Sequence, residues 1–191
     1  MGSTRLQDAA GSVTIQTNAP TTNYTATLPN ITCELAPRMQ LMAAKTATGT
    51  FVDFTGIPSW VKKITVMFNG VSTNGTSVPL IRLGAGSIDI GTYNCVVSTL
   101  SPASAAATMS NGFGLAVTST SAANIFYGQS ILTLMGSNVW TMQGILAYPS
   151  VSQQFTAGSK TLSAILDRIR ITTVNGTDTF DAGNINIMYE G

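Results

Sequence analysis

Eight carboxylates are the side chains of this sequence best suited to chemistry: Asp8, Glu34, Asp53, Asp89, Asp167, Asp178, Asp181 and Glu190. Histidine is absent, which removes the commonest general base, the Ser-His and Cys-His nucleophile pairs and the commonest metal ligand. Carboxylate chemistry remains, since a glycosidase needs only two Asp or Glu residues about 5–9.5 Å apart. Eight scattered acids contain such pairs by chance, so no enzymatic activity is expected.

A second cluster is Asp178 and Asp181 with Asn175 and Asn184, oxygen ligands around a turn that could hold calcium. The dense Asp spacing of a calcium loop is missing, so a solvated, Asx-rich turn is the favoured reading, with no metal and no cofactor. Arg168 and Arg170 share one face of a predicted strand. They could meet a carboxylate of a neighbouring subunit or simply face solvent. Trp60 follows the turn at Pro58 and could stack on a sugar ring. A core or inter-subunit anchor is favoured for it, because buried tryptophan commonly anchors packed interfaces. Trp60, Lys62, Arg168 and Arg170 are thus the candidate subunit-interface or ligand-contact residues, and Trp140 is expected in the core.

Cys33 and Cys95 lack metal-ligand spacing and are too few for a disulfide scaffold. Free buried thiols are favoured over a bridge, which would close a long loop and stabilise by about 4 kcal/mol. Asn23, Asn30, Asn74 and Asn175 begin N-glycosylation triplets, but a chain this rich in Asn, Ser and Thr produces them by chance.

These residues sit in a chain of 191 residues, 44% hydrophobic and only 9% charged. One domain, or one domain plus an arm, is the expectation at this length. An average soluble domain has about 25% charged residues. Here Thr, Ser, Gly and Asn, roughly 40% of the chain, must supply solubility, as on an extracellular or virion surface. The net charge of +1 offers no basic stripe for nucleic acid and no attraction to anionic lipid. No run of 18 apolar residues predicts membrane insertion, and Met1 to Ser12 has no signal-peptide core. Synthesis in the cytoplasm is expected.

The first 48 residues read as an extended arm, interrupted by Pro20, Pro29 and Pro37. Within it Val13 and Ile15 suit one short strand, which could be added to a neighbouring subunit's sheet rather than to its own. From Gly49 onward, period-two alternation predicts strands at Phe51–Thr55, Trp60–Phe68, Val78–Ile90 with a break at Gly84-Ala85-Gly86, and Gly91–Val97. Asn69-Gly70 and Asn74-Gly75 read as turns. Ser98 to Gly112 fits a helical turn or a loop equally. A hairpin is predicted over Ser130–Leu146, turning at Gly136-Ser137-Asn138. Leu162–Val174 could begin as helix but ends as strand, with Ile169 and Ile171 facing one way. The last strand is Asn184–Glu190, with Ile185, Ile187 and Tyr189 on one face. Seven or eight short strands with Gly and Asn turns predict an all-β fold, an antiparallel β-sandwich, jelly-roll-like, over residues 49–191.

Two runs carry a family likeness. FVDFTGIPSWVKKITVMFNGVSTNGTS, Phe51 to Ser77, resembles a segment that recurs in structural proteins of tailed bacteriophages, often described as tail-fibre or virion-associated proteins. LDRIRITTVNGTDTFDAGNINIMYE, Leu166 to Glu190, is similar to the usual ending of the same group. Together they cover roughly a quarter of the chain. A weaker likeness to short fibre-protein blocks is GSVTIQTNAPTTNYTATLP, Gly11 to Pro29. The resemblance implies a virion component, a β-rich head or tail appendage that commonly forms a homotrimer and docks to other virion proteins through its N-terminal arm. Long receptor-reading fibres carry a shaft and a larger tip, so the implied part is a short fibre, an adaptor-bound appendage or a capsid decoration protein. The other reading is a binding module for a host surface glycan.

Overall fold

A computed structural model of the chain describes residues 38–101, 104–117, 121–148 and 152–191, together with two short strands, β1 (Val13–Ile15) and β2 (Tyr24–Ala26). Two compact units result, Met1–Pro37 and Arg38–Gly191. In the first, Val13 and Ile15 do form a strand, and it pairs antiparallel with β2. The rest of the expected arm, up to Pro37, lies outside the described residues.

The second unit is an antiparallel β-sandwich. It begins at Arg38, earlier than the expected boundary at 48/49: β3 (Met39–Leu41) and β4 (Lys45–Thr46) both pair with the last strand, and Ala47 is buried. Next come β5 (Phe51–Thr55), β6 (Lys63–Thr73), β7 (Pro79–Ala85) and β8 (Ser87–Ile88). They are followed by β9 (Asn94–Leu100), β10 (Ala105–Met109), β11 (Phe113–Gly114) and β12 (Phe126–Gly136). The chain ends with β13 (Val139–Tyr148), β14 (Ser152–Thr161), β15 (Arg168–Thr173) and β16 (Phe180–Glu190). The larger sheet runs β10-β9-β14-β13-β12-β6-β16-β3, with β4 beside β3 on the same edge of β16. The smaller runs β11-β7-β15-β5, with β8 hairpinned onto β7.

The alternation that predicts the strands also builds the core. Val52 and Phe54 from β5, Ile81 and Leu83 from β7, and Ile169 and Ile171 from β15 are buried on the small sheet's inner face. The large sheet answers with Ile64, Val66 and Phe68, Leu132, Trp140, Met142 and Leu146, and Ile185, Ile187 and Tyr189. All belong to one apolar cluster, and full burial of such a side chain stabilises by about 1.5–3 kcal/mol. The Ile169/Ile171 and Ile185/Ile187/Tyr189 faces and the core position of Trp140 are as the sequence predicts.

Turn residues act where backbone sign demands them. Ser137 and Asn138 have φ of 46° and 60°, the two positive values a tight β12–β13 hairpin needs. Asn69-Gly70 is not a turn. The strand continues through it to Thr73, and Gly70 (φ 68°) faces Gly183 (φ 86°) where the β6–β16 register shifts between Ala182 and Asn184. The glycine supplies the positive φ as read, but to a bulge. Residues 162–167 form no helix, and residues 98–112, expected as a helical turn or a loop, instead complete β9 and supply the edge strand Ala105–Met109.

Candidate functional site

The four candidate contact residues fall into two places. Arg168 and Arg170 share the outer face of the small sheet, as their spacing predicts, and each is satisfied within the chain. Arg170 grips Asp53 through Nε to Oδ1 at 2.7 Å and Nη2 to Oδ2 at 2.6 Å, with its guanidinium 3.9 Å from the centre of the Phe51 ring. The side chains of the pair are 29% and 27% exposed. The cause is register: Asp53 and Arg82 flank Arg170 on the two neighbouring strands. Arg168 holds the adjacent Asp167 at 2.8 and 3.0 Å.

Trp60 and Lys62 lie on the connection into β6. The half-buried Trp60 ring packs edge-on against Tyr189, centroids 5.6 Å apart, with the Arg38 guanidinium 5.5 Å from its centre. Lys62 is exposed, and its backbone joins the ladder, donating to Glu190 O and accepting from Leu134 N. Among the described residues Trp60 and Lys62 share no partner with Arg168 or Arg170, so the four do not form one site.

Every acid among the described residues has a partner. Besides the two pairs above, Asp89 meets Lys160 at 3.0 Å and Glu190 meets Lys63 at 3.1 Å, and Asp181 accepts from the Ser72 hydroxyl. Asp178 takes Asn175 Nδ2 at 2.7 Å and Ser77 N at 2.8 Å. Asn175 Oδ1 in turn accepts from Thr177 N and Asp178 N, which makes an Asx turn. Gly75 leaves room for it, because a Cβ there would stand 2.0 Å from the Asp178 carboxylate. Asp8 and Glu34 lie outside the described residues, as does Cys33. Cys95 is a buried free thiol whose pKa burial pushes up.

The hydrogen bond from Asn175 and the Ser77 amide hold the Asp178 carboxyl below its ordinary 3.8, and the Arg168 guanidinium does the same for Asp167. A carboxylate with a depressed folded pKa contributes stability that is present above its unfolded pKa and lost as pH falls through the folded one. Thermal stability should therefore hold near neutrality and decline below about pH 3.8. Asp178→Asn should begin less stable and lose less on acidification. Parallel acid slopes for the variant and the parent would contradict this role.

What sequence reading misses is the outer face of the large sheet. Register places Ser98, Phe155, Ile145, Gln129, Met67 and Asn186 in one row across six strands. The next row crosses the same strands and adds Leu41 on β3. Neither row contains a charged residue. Val96 is 50% exposed, Ile145 55% and Leu41 62%. Between β9 and β12 the face dips into an open groove of about 490 Å³ whose lining includes Val96, Gln129, Ile131, Gln143, Ile145 and Phe155. The signal lay in outward positions: Phe155 and Ile145 alternate with buried neighbours, so they occupy places where polar residues are usual.

No protein-family model, curated protein or solved structure matches this chain.

Proposed function

We propose that this protein is a non-enzymatic structural component of a bacteriophage virion, a short fibre or appendage subunit on tail or head that self-associates, as a homotrimer, through its β domain. The observation that carries the reading is how the two phage-like blocks meet. Phe51–Ser77 contributes β5 and β6, and Leu166–Glu190 contributes β15 and β16. Strand β5 pairs with β15 in the small sheet while β6 pairs with β16 in the large one. Their turns lock as well: Asn74 N donates to Thr179 O and Asn175 N to Ser77 Oγ. Residues far apart in sequence that resemble the same proteins thus form one continuous kernel.

Particles made by a phage that encodes the chain should contain it in fixed stoichiometry, and a label on it should appear at one position on head or tail in electron micrographs. Full, infectious particles lacking the chain would overturn the proposal. Docking through the N-terminal segment predicts that removing residues 1–37 prevents incorporation. Residues 38–48 must stay, because they edge the large sheet.

A second reading, capture of a host surface glycan, has one observation in its favour: Phe155 shares the groove with Gln129 and Gln143, an aromatic ring beside amide donors and acceptors.

A further inference from the structure

The geometry points to the outer face of the large sheet as the surface that joins copies of this chain, the groove half of one copy receiving the methionine-rich half of the next. The inference rests on the self-associating reading above and names the surface that does it.

Three observations select a second copy as the occupant. The first is charge. On the small sheet's outer face Asp53, Arg170 and Arg82 stand side by side, with Arg168 beside them, whereas the two central rows of the large sheet's outer face have no charge at all. The Lys63–Glu190 pair flanks those rows. A charged partner would lose hydration against this surface without gaining a counter-charge, which costs several kcal/mol per ion. A neutral partner would not, and this face is itself the neutral surface of the chain.

The second is shape within the face. Its β9–β14–β13 half is the groove holding Val96, Phe155 and Ile145. Its β6–β16–β3 half presents Met67, Met188 and Leu41, and unbranched methionines adapt to irregular recesses. Placing one half on the other half of a neighbour is a head-to-tail contact, which forms a closed ring when the rotation between successive copies divides a full turn.

The third is extent. Six strands at about 4.8 Å spacing and four cross-strand rows make a face about 30 Å by 25 Å, so that a chain gives its two neighbours together about the ~800 Å² that each partner commits to one standard interface. Six of the exposed large hydrophobics, Met39, Leu41, Val96, Leu100, Tyr127 and Ile145, lie on it.

The test is the mass of the full chain in solution, by light scattering on a sizing column. The parent should run as an assembly, and Ile145→Lys in one half and Leu41→Lys in the other should each lower the mass about threefold, to that of one chain, if a trimer closes. Both positions are exposed, so both variants should keep the parent's circular dichroism and cooperative unfolding. Ile90→Lys, 69% exposed and off the face, should leave the assembly intact. A monomeric parent, or charged variants that stay assembled, would overturn the inference. So would unchanged mass with lost adsorption to host cells, which would give the face to a glycan instead. Failure here is distinct from failure of the virion reading: a monomer found in particles defeats only the interface, and an assembly missing from particles defeats only the virion role.

Discussion

Gly183→Ala is expected to destabilise the sandwich by about 3–5 kcal/mol, lowering the unfolding midpoint by about 10 °C for a domain of this size. Gly183 has φ of 86°, and a Cβ there would stand 2.3 Å from Gly70 O, 2.4 Å from Gly70 C and 2.5 Å from Val71 N. All three obstacles are backbone of the paired strand, so no rotamer change relieves them. Strands β6 and β16 would have to part where the register shifts, disturbing the burial of Phe68, Val71 and Ile185. Gly176→Ala isolates the conformational cost. It has a similar φ, 69°, with nothing within 4 Å, and should cost only about 1 kcal/mol. Urea unfolding of both variants measures the difference. Equal losses would mean that the β6–β16 approach is not what Gly183 permits.

The same bulge shows what the sequence could and could not disclose. Asn69-Gly70 announces a positive φ, but whether that residue reverses the chain or bulges a strand depends on what lies opposite, and Gly183 is more than a hundred residues away. Strands with one apolar face, such as β5, β13, β15 and the end of β16, are legible because burial enforces alternation. Strand β14 is not. Its inward residues are Gln154, Thr156, Gly158 and Lys160, and its outward ones include Phe155 and Ala157, which inverts the usual pattern. Edge strands β3, β4 and β10 are short or made of small residues and have little pattern to read. Among the candidate contacts, the shared face of Arg168 and Arg170 was legible. That the carboxylate meeting Arg170 would be Asp53 of the same chain required the register, whereas the Asp167 that Arg168 holds is its neighbour in sequence. The uncharged outer face emerges only when residues from seven strands are set side by side.

The inverted strand makes the most demanding of its inward residues the subject of the second large effect: Lys160→Ala should cost about 3 kcal/mol. The Lys160 side chain is 3% exposed. Its ammonium donates to Gly91 O at 2.8 Å and Thr92 Oγ1 at 2.7 Å, meets Asp89 Oδ2 at 3.0 Å, and lies 5.0 Å from the centre of the Tyr93 ring. One side chain thereby ties together Asp89, Gly91 and Thr92 of the β8–β9 connection, Thr92 at φ 58°, and burial raises the pKa of the Tyr93 phenol beneath it, which donates to Asp89 O at 3.1 Å. Truncation opens a cavity and leaves the Asp89 carboxylate without its cation, while the Gly91 carbonyl keeps the Thr92 hydroxyl that donates to it at 2.7 Å. Breaking a buried pair this way costs about 3–5 kcal/mol, and the low end applies because Asp89 is 37% exposed and partly screened. Asp89→Asn should cost less, about 1 kcal/mol, since the ammonium keeps its two neutral acceptors. A double-mutant cycle by urea unfolding would then give a coupling of about 1 kcal/mol. Lys160→Met, which preserves the stem, should recover the packing but not the loop, read as faster amide exchange over residues 89–93. A Lys160→Met variant with native exchange there would show that the stem, not the charge, holds the connection.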